Sequence, residues 1–184
     1  METEKAMPIP YTEITSSVIG KLKQSDFDDW WESEEISIPY LNNEPMAITF
    51  MDLNPEEDKE FVAEADKLLK IFLAKTNIDR LSSSKHVHKN CTDFLAMIEY
   101  DEDDEALHQI KSPEEVWQYV QFQNIYLQRY YEDNKVYLSL SGNCDWEQEH
   151  GLQLVFDDKG KLMRVSQSDG DIFGWEGDGM IEEN

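Results

Sequence analysis

Apolar positions along this chain change their period twice. From Glu35 to Met51 the period is two. Ile36 alternates with Ile38, and Met46 with Ile48 and Phe50, while Leu41-Asn42-Asn43-Glu44 between them reads as a turn. The spacing predicts strands over 35–40 and 45–51, joined as a hairpin. The pattern then turns helical, with Phe61, Ala65, Leu68, Leu69, Phe72 and Leu73 on one face. Asn54-Pro55-Glu56-Glu57 supplies a cap, a first-turn proline and a capping-box glutamate, which predicts a helix from there to about Lys75. Thr76–Ser84 breaks it. A second helix follows, with Val87, Cys91, Phe94, Leu95 and Ile98 on its buried stripe, and Ser112-Pro113-Glu114-Glu115 opens a short third one carrying Val116, Trp117 and Val120.

From about Gln123 the period returns to two. Ile125, Leu127 and Arg129 share one side, and Tyr126, Gln128 and Tyr130 the other. Glu132-Asp133-Asn134 and Asp157-Asp158-Lys159-Gly160 are turns. Val136, Leu138 and Leu140, then Leu152, Leu154 and Phe156, then Leu162–Val165 complete a four-strand antiparallel meander. Strands and helices come in runs and do not alternate, so the fold class is α+β. The expected architecture is an antiparallel sheet, built from the N-terminal hairpin plus the C-terminal meander, packed against two or three helices. Residues 26–170 form the single domain. Residues 1–25 read as a polar arm with one short helix around Thr15–Leu22, and residues 171–184 as an acidic tail that frays.

Charge changes the picture most. The 184 residues hold 16 basic and 40 acidic side chains, a net charge of −24. Five Trp, eight Tyr and eight Phe place that charge on a folded body and not on a disordered chain. Such a field repels nucleic acid and anionic lipid and attracts a basic protein. The charge is segregated: residues 59–89 carry seven bases against four acids. Acids cluster at Asp26–Glu35, interleaved with Phe27, Trp30 and Trp31; at Glu99 and Asp101–Glu105; and from Asp169 onward. The start, METEKAMPIPYTEITSS, has no apolar signal region, and no stretch reaches the ~18 apolar residues of a membrane span. A cytoplasmic location with reduced cysteines follows as the expectation.

Candidate chemistry is thin. His86-x-His88-x-x-Cys91 offers three of the four ligands of a structural zinc site, and Cys91 sits on the apolar stripe. Asp169-Gly170-Asp171 with Gly174 has the opening of a calcium loop, but Phe173 and Met180 stand where ligands are required. No metal or cofactor is therefore expected. Cys144 with His150 can be drawn as a thiol–imidazole pair, and Glu147, Glu149 and His150 as ligands or a polar turn. A structured corner is the simpler reading of Cys144-Asp145-Trp146-Glu147-Gln148-Glu149-His150-Gly151-Leu152. Trp146 packs on the sheet, Glu149 holds His150, and Gly151 supplies a backbone angle other residues resist.

Cys144-x-Trp146-x-x-Glu149-His150-Gly151-Leu152, followed by an apolar strand, a Gly-containing turn and a strand leading to Ser168-Asp169-Gly170, resembles a family of small bacterial domains of unknown function. Asp29-Trp30-Trp31-Glu32-Ser33 is similar too, and the likeness covers the layout of residues 26–170. Members of that family are associated with polymorphic-toxin and contact-dependent immunity systems. The resemblance implies an immunity role and brings no catalytic residues with it. The resulting expectation is a non-enzymatic immunity-type protein that neutralises a basic toxin domain such as a nuclease. Trp30, Trp31, Asp101, Glu102, Asp103, Asp104 and Glu105 would make the contact. The two tryptophans serve equally well as core residues. The alternatives are a metal-dependent or hydrolytic enzyme using Glu147, Glu149 and His150, and a regulatory adaptor without a toxin partner.

Overall fold

The computed structural model describes residues 13–26 and 29–182. The described residues form ten strands: β1 (Ile14–Ser16), β2 (Gly20–Gln24), β3 (Trp31–Glu32), β4 (Ile36–Ile38), β5 (Glu44–Met46), β6 (Ile48–Phe50), β7 (Val120–Tyr130), β8 (Lys135–Cys144), β9 (Leu152–Phe156) and β10 (Leu162–Ser166). The helices are α1 (Phe61–Leu73), α2 (Asn77–Ser82), α3 (Ser84–Met97) and α4 (Glu105–His108), with 3-10 turns at Pro39–Leu41, Glu102–Asp104, Pro113–Tyr119 and Trp175–Gly177.

Eight strands make one sheet in the order β1-β2-β3-β6-β7-β8-β9-β10, antiparallel except for the parallel β6–β7 pair. The meander β7–β10 is as its alternation indicates. The N-terminal hairpin is not: β4 and β5 form a separate two-stranded sheet, and only β6 continues into the main one. Parallel pairing needs a long crossover, and α1, α2, α3 and α4 lie within it.

Register explains the core. Trp31 pairs with Phe50, Phe50 with Leu127, Leu127 with Leu138, Leu138 with Phe156 and Phe156 with Leu162. This row faces the helices. Tyr40, Phe72 and Phe156 meet above it with ring centroids 5.4–5.6 Å apart. Trp31 is therefore a core side chain, 6% exposed, and cannot anchor a partner. Trp30, one residue away, points to the other face and meets Tyr126 edge-on at 5.9 Å.

Several boundaries differ from the sequence expectation. The expected helix over 15–22 is the β1–β2 hairpin. Its turn is held by the buried Asp66 of α1, whose carboxylate accepts from Ser16 Oγ at 2.5 Å, Ser17 N at 2.7 Å and Ser17 Oγ at 2.6 Å. Helix α1 starts at Phe61 and not after Asn54. Asn54 Oδ1 closes a tight turn by accepting from Glu56 N at 3.0 Å. Asp58 Oδ1 takes the amides of Glu60 and Phe61, and Arg129 of β7 reaches across to Asp58 and Glu64. Thr76 and Asp79 form a reciprocal capping box that starts α2 within the expected break. Ile98 lies beyond the end of α3 and is exposed, because the chain turns extended there.

The acidic tail does not fray among the described residues. Ile172 is 2% exposed and packs with Tyr137 and Val155 on the sheet face opposite the helices. Residues 179–181 run along the free edge of β10, with Val165 N donating to Gly179 O at 2.9 Å and Ile181 N to Met163 O at 2.8 Å. Arg164, fully buried, fastens this return. Its Nη1 and Nη2 meet Asp169 Oδ1 and Oδ2 at 2.9 and 2.5 Å, Nη1 also donates to Asp171 O at 2.5 Å, and Nε donates to Asp178 O at 2.8 Å. No described helix is long and apolar enough to cross a membrane.

Candidate functional site

The corner between β8 and β9 is built around Glu147. Its side chain is buried and turned back on its own loop, with Oε1 accepting from Glu149 N at 3.2 Å and Oε2 from His150 N at 2.9 Å. His150 Nδ1 lies 3.5 Å from Glu147 Oε2, so Glu147 and not Glu149 is the carboxylate beside the imidazole. Gly151 has φ +74°, and an added Cβ would sit 2.2 Å from Gly142 O. Trp146 is buried and donates from Nε1 to Asn90 Oδ1 of α3 at 3.0 Å, which ties the corner to that helix.

Neither thiol is activated. Cys144 is buried and donates to Glu147 O at 3.5 Å, whereas His150 is exposed. Burial pushes the Cys144 thiol up to about 12. Burial, with the Asp104 charge second, pushes Cys91 up to about 12 as well. The thiolate is the reactive form, so folded protein at neutral pH should resist iodoacetamide at both positions while denatured protein reacts at both. Mass spectrometry of the two samples checks this, and rapid native alkylation of Cys144 would restore the thiol–imidazole reading.

The remaining chemical candidates disperse. Cys91 faces the core, whereas His86 and His88 are half-buried on other sides of α3. Among the described residues no three His, Cys, Asp or Glu side chains converge as metal ligands do. In the calcium-like segment, both Asp169 oxygens are taken by Arg164.

A different surface stands out at the far end of α3. Met97 is 77% exposed, Ile98 40% and Tyr100 61%. The acidic run follows at once: Asp101, Glu102, Asp103 and Glu105 are exposed and Asp104 half-buried. The run is shaped, because Asp101 Oδ1 caps the 3-10 turn through Asp103 N at 3.0 Å and Tyr100 Oη donates to Glu105 Oε2 at 2.6 Å. The Tyr100 hydroxyl, with Gln109 second, holds the Glu105 carboxyl below its usual range. Trp30 is not part of this face: α3 packs on β10, and β6, β7, β8 and β9 lie between β3 and β10. Sequence reading found the carboxylates and missed their apolar neighbours. The available signal was Met97, an apolar residue off the buried stripe of α3 and directly before the acids.

Beside this face runs an open groove of about 670 Å³. Phe94 and Met97 of α3 form one wall and Met180 and Ile181 the other, with Val165 and Gly151 at the base. Its second wall is the return segment that Arg164 holds.

Residues 18–173, from the β1–β2 turn to Phe173 just past the buried Ile172, match one family, a domain of unknown function (DUF6985). The chain belongs to the DUF6985 family. That match takes in the meander, the corner and the helices of the crossover, so the DUF6985 unit comprises nearly the whole described fold. No curated protein and no solved structure matches the chain.

Proposed function

We propose that this protein acts by binding another protein: a cytoplasmic immunity-type protein that covers a basic toxin domain, such as a nuclease. The observation that carries this reading is the exposed apolar group Met97, Ile98 and Tyr100 standing directly against the carboxylates Asp101–Glu105. Apolar anchors beside a dense field of one sign combine desolvated contact with steering. The net charge of −24 extends that field over the molecule. A nuclease must bind phosphate, so its working surface is basic and complementary to such a face. The family resemblance supplies the toxin context.

Exposed charges act through screened fields that reach about 8 Å at physiological salt. Association with the partner, recovered from a lysate of the native cell, should therefore be fast at low salt and slow as salt rises. The combined substitutions Asp101→Asn, Glu102→Gln, Asp103→Asn and Asp104→Asn should lower the on-rate and flatten its salt dependence, with a smaller change in dissociation. Stopped-flow binding at several salt concentrations measures both. A neutral or acidic partner, or an on-rate indifferent to salt, contradicts the proposal.

A further inference from the structure

We infer that the groove between α3 and residues 178–182 seats a peptide segment of the partner that carries lysine or arginine next to apolar side chains; this rests on the protein-binding reading above and adds a specific seat to it. The groove's apolar content comes from both walls, with Phe94 and Met97 facing Met180 and Ile181. Two methionines opposite one another give an adaptable surface, since the thioether chain repacks around differently shaped partners. At about 670 Å³ the space accommodates several side chains, within the usual ~300–1,000 Å³ of a binding cleft.

Charge decides which segment fits. Among the described residues four carboxylates line the groove: Asp93, Glu147, Asp178 and Glu182. Lys89 of the rim is paired with Asp93, and Glu147 is turned into its own corner. Asp178 and Glu182 have no cation within ion-pair distance among the described residues. His86, the other basic side chain in the groove, is kept below its ordinary pKa by burial and then by the Lys85 charge, so it is neutral at pH 7. An acidic segment would add to the repulsion; a basic and apolar one satisfies Asp178 and Glu182 and covers Met97.

The wall bearing those two carboxylates is fixed before any partner arrives. Arg164 Nε holds Asp178 O, and the amides of Val165 and Ile181 stitch the segment to β10. A preformed wall lowers the ordering cost of binding.

Methyl NMR of the full chain tests this, because the chain has seven methionines and the Met97 and Met180 methyls report the two walls separately. The probes are short peptides alternating lysine with valine, glutamate with valine, and lysine with serine. The lysine–valine peptide should shift both methyls saturably, and the other two should not. Met97→Lys, at a side chain exposed enough to leave the fold intact, and the pair Asp178→Asn with Glu182→Gln should each weaken that binding by about tenfold or more. Unmoved methyls with the lysine–valine peptide, equal shifts with either control peptide, or wild-type affinity in the groove variants would each overturn the inference. The Asp101–Asp104 substitutions separate the two proposals. A partner that is steered by those acids and weakened by Met97→Lys but ignores the pair Asp178→Asn with Glu182→Gln leaves the binding face standing and removes the groove. A groove that takes the lysine–valine peptide in a protein whose partner is indifferent to salt does the reverse.

Discussion

Replacing Arg164 with Met should lower stability by about 3 kcal/mol, the lower end of the range for removing one partner of a buried ion pair. For a chain of this size that corresponds to a fall of roughly 6–12 °C in Tm. The substitution leaves the Asp178 carbonyl without its Arg164 donor, leaves Asp171 O with Gln153 Nε2 alone, and leaves the Asp169 carboxylate without its cation. The lower end applies because Asp169 retains 28% exposure and can turn to water. The damage should centre on the return segment, so hydrogen exchange at the Val165 and Ile181 amides, which pair that segment with β10, should quicken more than exchange in β8. Acid sensitivity should change with it. Burial alone would raise the Asp169 pKa, but the Arg164 hydrogen bonds, the Asp171 amide and the Arg164 charge together outweigh burial and hold the carboxyl below its usual range. A depressed carboxylate contributes stability that is full above its unfolded pKa and is lost as pH falls through the folded value. That acid-labile part should be reduced in Arg164→Met. A variant with wild-type Tm and an unchanged acid limb would show that the clasp does not hold the tail.

The second large effect is expected at Gly151. Valine there meets two penalties: a β-branched side chain at φ +74°, and a Cβ placed 2.2 Å from Gly142 O, a backbone atom that cannot swing away. Together these should cost about 4 kcal/mol by urea or thermal unfolding. Gly20→Ala separates the two causes. Gly20 has φ +83° with nothing within 4 Å of an added Cβ, so it carries backbone strain alone, about 1 kcal/mol. Equal losses at the two positions would mean that the contact between the corner and β8 contributes nothing.

What the sequence makes legible depends on range. The β7–β10 meander is local, and its alternation with polar turns at 132–134 and 157–160 is enough to define it. The stripe of α1 is legible for the same reason. Pairings that span many residues are not. Nothing near Ser16 announces Asp66, fifty positions on in the chain. Nothing near Ile48 announces its parallel partner Ile125 across the whole helical segment. Arg164 is a charged residue within a strand, and its burial rests on the returning tail that meets it. Trp30 and Trp31 look alike in a run of acids, yet strand alternation sends one outward and the other into the core. At the corner, the special backbone angle at Gly151 was legible from composition, while the choice of Glu147 over Glu149 turned on which side chain can reach two amides of its own loop. The acidic half of the α3 face could be read directly from the sequence. For its apolar half the sequence offers only the place of Met97 off the buried stripe of α3, because the exposure of Met97 depends on where the helix meets the sheet.

The central claim is that the face from Met97 to Glu105 covers a basic toxin domain, and its most direct measurement is growth. Cells expressing the recovered partner domain alone should stop growing, and co-expression of this protein should restore growth. Met97→Lys combined with the Asp101–Asp104 substitutions, verified to melt at the wild-type temperature, should restore it far less. A partner that does not harm the cell, or full rescue by that variant, would contradict the account.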